Sequence, residues 1–134
     1  MSGCYLDASA IVKLVTAEAE TAALRRWVEP QAPLVTSRIS TVEVARAMLR
    51  KGARSVRLGR GAFDEAFRSV GVVELDASIA ERAGSLSPPT LRALDAIHLA
   101  AALGFGDEVA TLVTYDARLA DAARAAGLEV VAPR

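Results

Sequence analysis

The sequence predicts an α/β fold in which a parallel sheet lies between two layers of helices. Short apolar runs rich in β-branched residues alternate with helical patterns of about ten residues, as in βαβ units. The run TLV at 111–113 carries no charge, which is typical of a strand that is covered on both faces. A chain of 134 residues is long enough for one domain with a substantial core. We therefore expect residues 1–134 to form a single three-layer α/β/α sandwich.

The first half of the chain supplies two predicted strands, CYL and PLVTS. Apolar residues at helical spacing, which place one apolar face toward a core, predict the helices around them. These helices are SAIVKLV, TAALRRWVE, STVEVARAMLRKG and FDEAFRSV. Pro30 and Pro33 stop the second helix, and Gly52 closes the third, because proline breaks helices and glycine favours their C-terminal ends.

The second half continues the alternation with the predicted strands VVEL, VATLVTY and LEVV. The helices between them are SIAERAGSL, LRALDAIHLAAAL and ARLADAARAAG. Pro88 and Pro89 end the first of these helices, and Gly104 and Gly106 stop the second. We find no internal repeat and no long linker, so the strands and helices fit one continuous domain.

Composition excludes several classes of protein. Sixteen basic residues balance sixteen acidic ones, so net charge gives no general attraction to nucleic acid or to a membrane. The N-terminus lacks the apolar run of a signal peptide. No uncharged apolar stretch reaches the roughly 18 residues of a spanning helix. Cys4 is the only cysteine and lies in an apolar run. A buried, unpaired thiol fits a reducing compartment, so we expect a cytoplasmic protein.

One carboxylate stands out in the stretch LRALDAIHLAAAL. From Ala93 to Leu103, only Asp95 and His98 are not apolar, which predicts a helix that is buried all round. A buried ionised carboxylate is costly unless it is paired, hydrogen-bonded or bound to a metal ion. Asp95 therefore needs a partner: Arg92, three residues earlier, could form an ion pair with it, or Asp95 could belong to a shared polar site.

Three other acids occupy related positions. Asp7 follows the strand CYL and Asp116 follows LVTY, and each precedes a helix. Glu43 falls in the first turn of the helix after PLVTS. Because ligands bind at the carboxyl ends of parallel strands, we expect all four acids to meet at one edge of the sheet. We call these four residues the acidic cluster: Asp7, Glu43, Asp95 and Asp116.

Each of these acids also has a purely structural interpretation. Asp7 and Asp116 are well placed as helix N-caps. STVE, residues 40–43, matches a capping box in which Glu43 returns to a free backbone N–H. Taken together, four clustered carboxylates would repel one another, by about 4 kcal/mol for two unit charges 4 Å apart at an effective dielectric near 20. Such a cluster protonates in part or binds a hard divalent cation through its oxygens.

The segments that carry these acids resemble the PIN domain family. They are YLDASAIVKL, STVEVAR, ALDAIHLAAAL and LVTYDARLADAARAAGLEVV. Within the family, the chain is similar to VapC-type toxins of bacterial toxin–antitoxin pairs, over nearly its whole length. The resemblance implies a five-stranded parallel sheet and a Mg²⁺- or Mn²⁺-dependent ribonuclease, often dimeric and held inactive by a cognate VapB-type antitoxin. By position, the acidic cluster matches the family's catalytic, metal-binding quartet. Thr114 matches a supporting polar residue, and Ser9 is a second candidate for that role.

Basic residues could supply contacts to RNA or to an antitoxin. The segment 46–60 contains six basic residues and no acid; we single out Arg46 and Arg50, together with Arg92 beside Asp95. Arginines of this kind bind phosphate without reading sequence, but they also occur on ordinary solvated helix faces. We expect His98 to be a core histidine with one hydrogen-bonded nitrogen. Apolar helices near Trp27 and Leu49 predict a homodimer.

Two alternative functions remain open at this stage. The first is an acid-edged phosphatase of the haloacid-dehalogenase type. In such enzymes a second aspartate follows the strand-end aspartate two residues later, but here DAS places Ser9 at that position. The second is a regulatory module that binds a cation and a partner without turnover. No G-x-S-x-G or G-x-x-x-x-G-K-[ST] motif occurs, so other common nucleophile and phosphate-loop chemistries are not indicated.

Overall fold

The computed structural model describes residues 2–134 and contains a five-stranded parallel sheet. Its strands are β1 (Gly3–Leu6), β2 (Leu34–Ser37), β3 (Gly71–Val73), β4 (Val109–Val113) and β5 (Glu129–Val131). They lie in the order β3-β2-β1-β4-β5, and every pairing is parallel. Because β1 is central and β2 and β4 flank it, the residues that follow these three strands are brought close together.

Helices cover both faces of this sheet, which confirms the predicted three-layer α/β/α sandwich. They are α1 (Ala8–Val15), α2 (Thr21–Val28), α3 (Ile39–Lys51), α4 (Ala53–Arg68), α5 (Ala77–Gly84), α6 (Ala93–Leu103) and α7 (Ala117–Ala125). A single 3₁₀ turn, Gly106–Glu108, leads into β4. Each strand of the sheet corresponds to a run that the sequence predicts.

The two faces of β1 divide the core into two layers. Cys4 and Leu6 face a layer built with α1 to α4, while Tyr5 faces the opposite layer with α6 and α7. This alternation is the period of two that a strand imposes on its side chains. Cys4 is buried, as its apolar context predicts. Trp27 is partly buried and packs against the first layer, so it contributes to the core.

Helix α4 is longer than its sequence pattern indicates. The pattern FDEAFRSV predicts a helix from residue 63, whereas α4 begins ten residues earlier at Ala53. Glycines at 59 and 61 weaken the helical signal of that segment. A Cβ on Gly59 would lie 2.6 Å from the terminal carbon of Met48 on α3, so the two helices approach closely at this point. The glycine therefore marks a close approach of two helices instead of a loop.

Helix α6 also differs in part from its prediction as a helix buried all round. Its second half is buried, but Ala93 and Leu94 in its first turn are exposed and Asp95 is half-buried. Asp95 therefore reaches the surface at the start of the helix, and its burial is less severe than the apolar sequence indicates. Across residues 2–134, no helix is both long and apolar enough to cross a membrane.

Candidate acidic site at the carboxyl edge of the sheet

Asp7 lies at the end of the central strand and is 4% exposed. Its Oδ1 accepts hydrogen bonds from the Ala10 backbone N–H at 3.0 Å and from the Ser9 hydroxyl at 2.6 Å. Its Oδ2 accepts a hydrogen bond from the Thr114 hydroxyl. Burial raises the pKa of Asp7, while the nearby His98 and these hydrogen bonds act in the opposite direction. Asp7 is thus both the N-cap of α1 and a desolvated carboxylate.

Ser9 and Thr114 connect the ends of β1 and β4. The Ser9 hydroxyl accepts a hydrogen bond from the Tyr115 backbone N–H at 3.0 Å. The Thr114 hydroxyl accepts one from the Asp116 backbone N–H, also at 3.0 Å. Both hydroxyls also donate to Asp7. Each side chain therefore fixes Asp7 relative to the loop that carries Asp116, which is the contact expected of supporting residues.

Asp116 and Asp95 approach this edge from two helices. Asp116 caps α7 through its Oδ1, which accepts hydrogen bonds from the Arg118 and Leu119 backbone N–H groups at 2.9 and 3.0 Å. The pKa of Asp95 is raised, first by burial and then by the negative charge of Asp116, with smaller contributions from Asp7 and Glu43. Asp95 therefore lies within electrostatic range of every other member of the acidic cluster.

Glu43 is oriented differently from the capping-box prediction, which is wrong. Helix α3 begins at Ile39 without a side-chain cap, and the Ser40 hydroxyl instead lies 2.7 Å from that of Thr36. Glu43 lies in the second turn, and its Oε1 is 2.6 Å from Nε2 of His98. His98 is a buried core histidine, as expected, but both of its nitrogens are hydrogen-bonded. Its contact with the acidic cluster joins residues 55 positions apart, and no local pattern indicates it.

The four carboxylates of the acidic cluster form no ion pair with a lysine or arginine of residues 2–134. The ion pair between Arg92 and Asp95, which the sequence allowed, is therefore not formed among the described residues. Carboxylates that lack a lysine or arginine partner, one of them buried, suit a hard divalent cation such as Mg²⁺ or Mn²⁺.

The side chains are not already arranged as a closed metal cage. No group of three His, Cys, Asp or Glu side chains within residues 2–134 is close enough to hold an ion as it stands. One oxygen of Glu43 is bound to His98, and one of Asp116 is bound to the α7 backbone. The second oxygens of Glu43 and Asp116 accept no hydrogen bond among the described residues, so hard oxygen donors are available for a divalent cation.

Two arginines border the site. Arg92, Arg118 and the carboxylates of Asp95 and Asp116 line a cavity of about 260 Å³. The sequence singled out Arg92 but not Arg118, although Arg118 lies only two residues after a predicted site aspartate. Arg46 lies three residues after Glu43 on α3, and Arg50 lies seven residues after it. At those spacings both extend along the side of the helix that carries Glu43, and both are exposed.

Fold and site together define an α/β protein with a carboxylate centre at the carboxyl edge of a parallel sheet. The PIN domain profile matches residues 4–125, and the chain belongs to the PIN domain family. Ribonuclease VapC46 of Mycobacterium tuberculosis (strain ATCC 25618 / H37Rv) is 43% identical over 133 residues, which cover 99% of each chain. Ribonuclease VapC35 of Mycobacterium tuberculosis (strain CDC 1551 / Oshkosh) is 40% identical and covers 96% of each. These relatives confirm the resemblance to VapC-type members.

Solved structures show the same fold at lower sequence identity. Mycobacterium tuberculosis VapC20, described as a Sarcin-Ricin loop cleaving toxin, has a TM-score of 0.71 and 20% identity, covering 98% of this chain and 100% of that chain. A chain of VapBC2 from Rickettsia felis, bound to a DNA fragment from their promoter, has a TM-score of 0.71 and 13% identity, covering 98% of both chains. The five-stranded sheet and its helices are thus shared across distant members.

Proposed function

We propose that this protein is a Mg²⁺- or Mn²⁺-dependent endoribonuclease that acts as the toxin of a bacterial toxin–antitoxin pair. The observation that carries the proposal is the collection of four carboxylates from four separate segments at one edge of the sheet. Among the ion pairs of the described residues, no lysine or arginine joins any of them. The proposal is supported by relatives that match this chain over nearly its whole length and are named as VapC ribonucleases. A toxin that cleaves the RNA of its own cell has to reach that RNA, so we propose that the protein acts in the cytoplasm.

Within this proposal, Asp7, Asp95 and Asp116 would hold the ion, with Glu43 beside them. When bound there, a divalent ion would lower the pKa of its bound water and place positive charge beside the phosphodiester. Glu43 has one oxygen engaged by His98 and the other available to accept a proton from the attacking water. Ser9 and Thr114 hold Asp7 in place through both of its oxygens. Water adds to the phosphorus as the bond to the 3′-oxygen breaks, which leaves a 5′-phosphate, and the departing 3′-oxygen takes a proton from solvent to become a 3′-hydroxyl.

Positive charge for the phosphate backbone comes from the border of the site. Arg92 and Arg118 share a cavity with Asp95 and Asp116, where a phosphate oxygen can reach a guanidinium while the scissile bond faces the carboxylates. Arg46 and Arg50 extend this surface along α3 or contact the antitoxin. Such contacts bind RNA by charge without reading its sequence.

Apolar side chains on α3 and α4 support protein partners. Val42, Leu49 and Leu58 are 59%, 56% and 71% exposed, and a groove of about 340 Å³ lies between the two helices. Exposed apolar surface of this kind is typical of an interaction site. We propose that the chain forms a homodimer and binds a VapB-type antitoxin. Light scattering at micromolar concentration, without antitoxin, should give the mass of two chains; a monomer would contradict the homodimer.

The nuclease proposal is tested by incubating the purified protein with tRNA, rRNA and mRNA. We expect cleavage with added Mg²⁺ or Mn²⁺ and none with EDTA, and end-group analysis should find 5′-phosphates. p-Nitrophenyl phosphate serves as a control substrate for the phosphatase alternative. Binding of Mn²⁺ without cleavage of any RNA in the panel would overturn the proposed function and favour the non-catalytic module.

A further inference from the structure

Three side chains from three elements form a continuous hydrogen-bonded chain that leads from the core to the acidic cluster. The Tyr5 hydroxyl on β1 lies 2.7 Å from Nδ1 of His98 on α6. Nε2 of the same ring lies 2.6 Å from Oε1 of Glu43 on α3. Tyr5 and His98 are 0% and 2% exposed. The chain therefore joins a fully buried phenol to a partly exposed carboxylate through one imidazole.

The direction of these hydrogen bonds follows from what each group can donate. A carboxylate only accepts, so the hydrogen of the His98–Glu43 contact lies on Nε2. In the neutral ring Nδ1 then accepts, and the Tyr5 hydroxyl donates to it. Burial raises the pKa of Tyr5 well above its ordinary value, so the phenol keeps the hydrogen that this arrangement requires. Each donor in the chain has one acceptor.

We propose that His98 is a positioning residue: it holds Oε1 of Glu43 and so aims Oε2 at the site. The inference rests on the proposed function, in which Glu43 acts on the attacking water or on an ion. A free glutamate samples many rotamers, and ordering its side chain has a cost in conformational entropy. A rigid, buried donor meets that cost before substrate arrives, as the outer hydrogen-bond partners of ligands generally do.

A purely structural role for His98 would explain its burial but not its choice of partner. The ring lies in a layer of small and apolar residues on α6, among them Ala96, Leu99 and Ala102. An apolar side chain of similar size would fill that space without needing two hydrogen bonds. Instead the polar ring is satisfied at both nitrogens, and one of the two contacts is a member of the acidic cluster.

The hydrogen positions can be measured directly, because His98 is the only histidine of the chain. A long-range ¹H–¹⁵N spectrum of the tag-free protein near neutral pH shows a single imidazole. We expect a protonated Nε2 and an unprotonated Nδ1. A ring protonated on Nδ1 and free at Nε2 would overturn the inference, since such a ring cannot donate to Glu43.

Two variants separate the contact with Glu43 from the contact with Tyr5. The amide nitrogen of a glutamine extends about as far from the backbone as Nε2, whereas that of an asparagine extends only as far as Nδ1. His98→Gln therefore retains a donor for Glu43, and His98→Asn retains only an acceptor for Tyr5. We expect His98→Asn to lower kcat for RNA cleavage and Mn²⁺ affinity by about 10- to 100-fold, and His98→Gln to recover most of both.

Leu99→Ala is the matched control for loss of stability. Leu99 lies next to His98 on α6 and is buried, and it packs in the apolar layer around Tyr5 and α7. Below its melting temperature, this variant should cleave RNA at the parental rate. Mn²⁺ affinity is measured by calorimetry, which does not depend on turnover.

The outcomes distinguish the inference from the function on which it rests. If the parent protein cleaves no RNA, the proposed function fails, and Mn²⁺ affinity and the spectrum still test whether His98 positions Glu43. If the parent cleaves RNA and the glutamine and asparagine variants lose equal activity and equal Mn²⁺ affinity, His98 is only a packing residue and the inference is wrong.

Discussion

The junctions β1–α1 and β4–α7 have the same design but treat their aspartates differently. In each, a buried strand ends, an aspartate follows, and its side chain caps the next helix. Asp7 directly follows the end of the central strand and is buried, with three donors on its two oxygens. Asp116 stands beyond Thr114 and Tyr115, is exposed, and uses only Oδ1 for its cap.

This difference shows that capping a helix and serving a site are compatible roles. An N-cap needs one carboxylate oxygen, so the second oxygen is available for other chemistry. Asp7 has its second oxygen bound by Thr114 and is fixed by its surroundings. Asp116 keeps its second oxygen for solvent or a cation. We therefore expect Asp7 to act as the rigid member of the acidic cluster and Asp116 as the adaptable one.

The largest expected effect comes from removing charge at the two junctions without removing the caps. Asparagine caps helices about as well as aspartate, so Asp7→Asn and Asp116→Asn should both fold. We expect cleavage of RNA to fall by about 10²- to 10³-fold for Asp7→Asn, and by about 10-fold for Asp116→Asn. Initial rates with saturating Mg²⁺ measure both.

Asp76 provides the control for this comparison. It caps α5 through a 2.9 Å hydrogen bond from the Ile79 backbone N–H. It follows β3, the outermost strand on one side of the sheet. Asp76→Asn should leave cleavage at the parental rate. Equal losses at Asp7 and Asp116 would contradict the division into a rigid and an adaptable member, and a loss at Asp76 would show that the caps alone affect activity.

The sequence predicts these junctions well because their signals are local. A strand end, an aspartate and a helix lie within a few residues of one another at Asp7 and at Asp116, so neither position requires knowledge of the fold. Parallel strand order then carries both to one edge. The five strands are predictable for a similar reason, since each is a short apolar run between turn residues.

The features that the sequence does not predict depend on distant partners. The STVE motif matches a capping box, but Ser40 contacts the nearby Thr36, and Glu43 contacts His98 across the fold. The sequence does not predict the first part of α4 as a helix because Gly59 and Gly61 weaken the local signal, whereas in the fold Gly59 lies against Met48 of α3. The partial exposure of Asp95 depends on where α6 begins relative to the sheet. In each case a tertiary contact outweighs the local preference.

A smaller effect is expected at the two hydroxyls that fix Asp7. Thr114 is 1% exposed and donates to Oδ2 of Asp7, so Thr114→Val keeps the shape but leaves that oxygen unpaired. We expect the free energy of unfolding to fall by about 1–3 kcal/mol. Ser9→Ala should cost less, because Ser9 is only partly buried and water can replace its hydroxyl. Urea titration of both variants measures the difference; a greater loss at Ser9 would contradict the assignment of Thr114 as the main anchor.

The smallest change in stability is expected for Asp95→Asn, which removes the charge that faces both junctions. Burial, Asp116 and Asp7 all raise the pKa of Asp95, whereas His98 lowers it. The folded chain therefore keeps this proton to a higher pH than the unfolded chain. The contribution of Asp95 to the free energy of unfolding is fully present at acidic pH and is lost as pH rises through its raised pKa. Asparagine cannot ionise, so the variant avoids this loss.

In EDTA at neutral pH, Asp95→Asn should therefore melt at or slightly above the parental temperature. The gain should stay below about 1 kcal/mol, because Asp95 is only half-buried and solvent screens its charge. The two melting curves should converge as pH falls below the ordinary range of an aspartate. Added Mg²⁺ should stabilise the parent more than the variant, since an ion that binds only the folded state raises its stability according to its affinity. A variant that melts far below the parent in EDTA, with an unchanged response to Mg²⁺, would show that Asp95 makes a structural contact and would remove it from the proposed ligands.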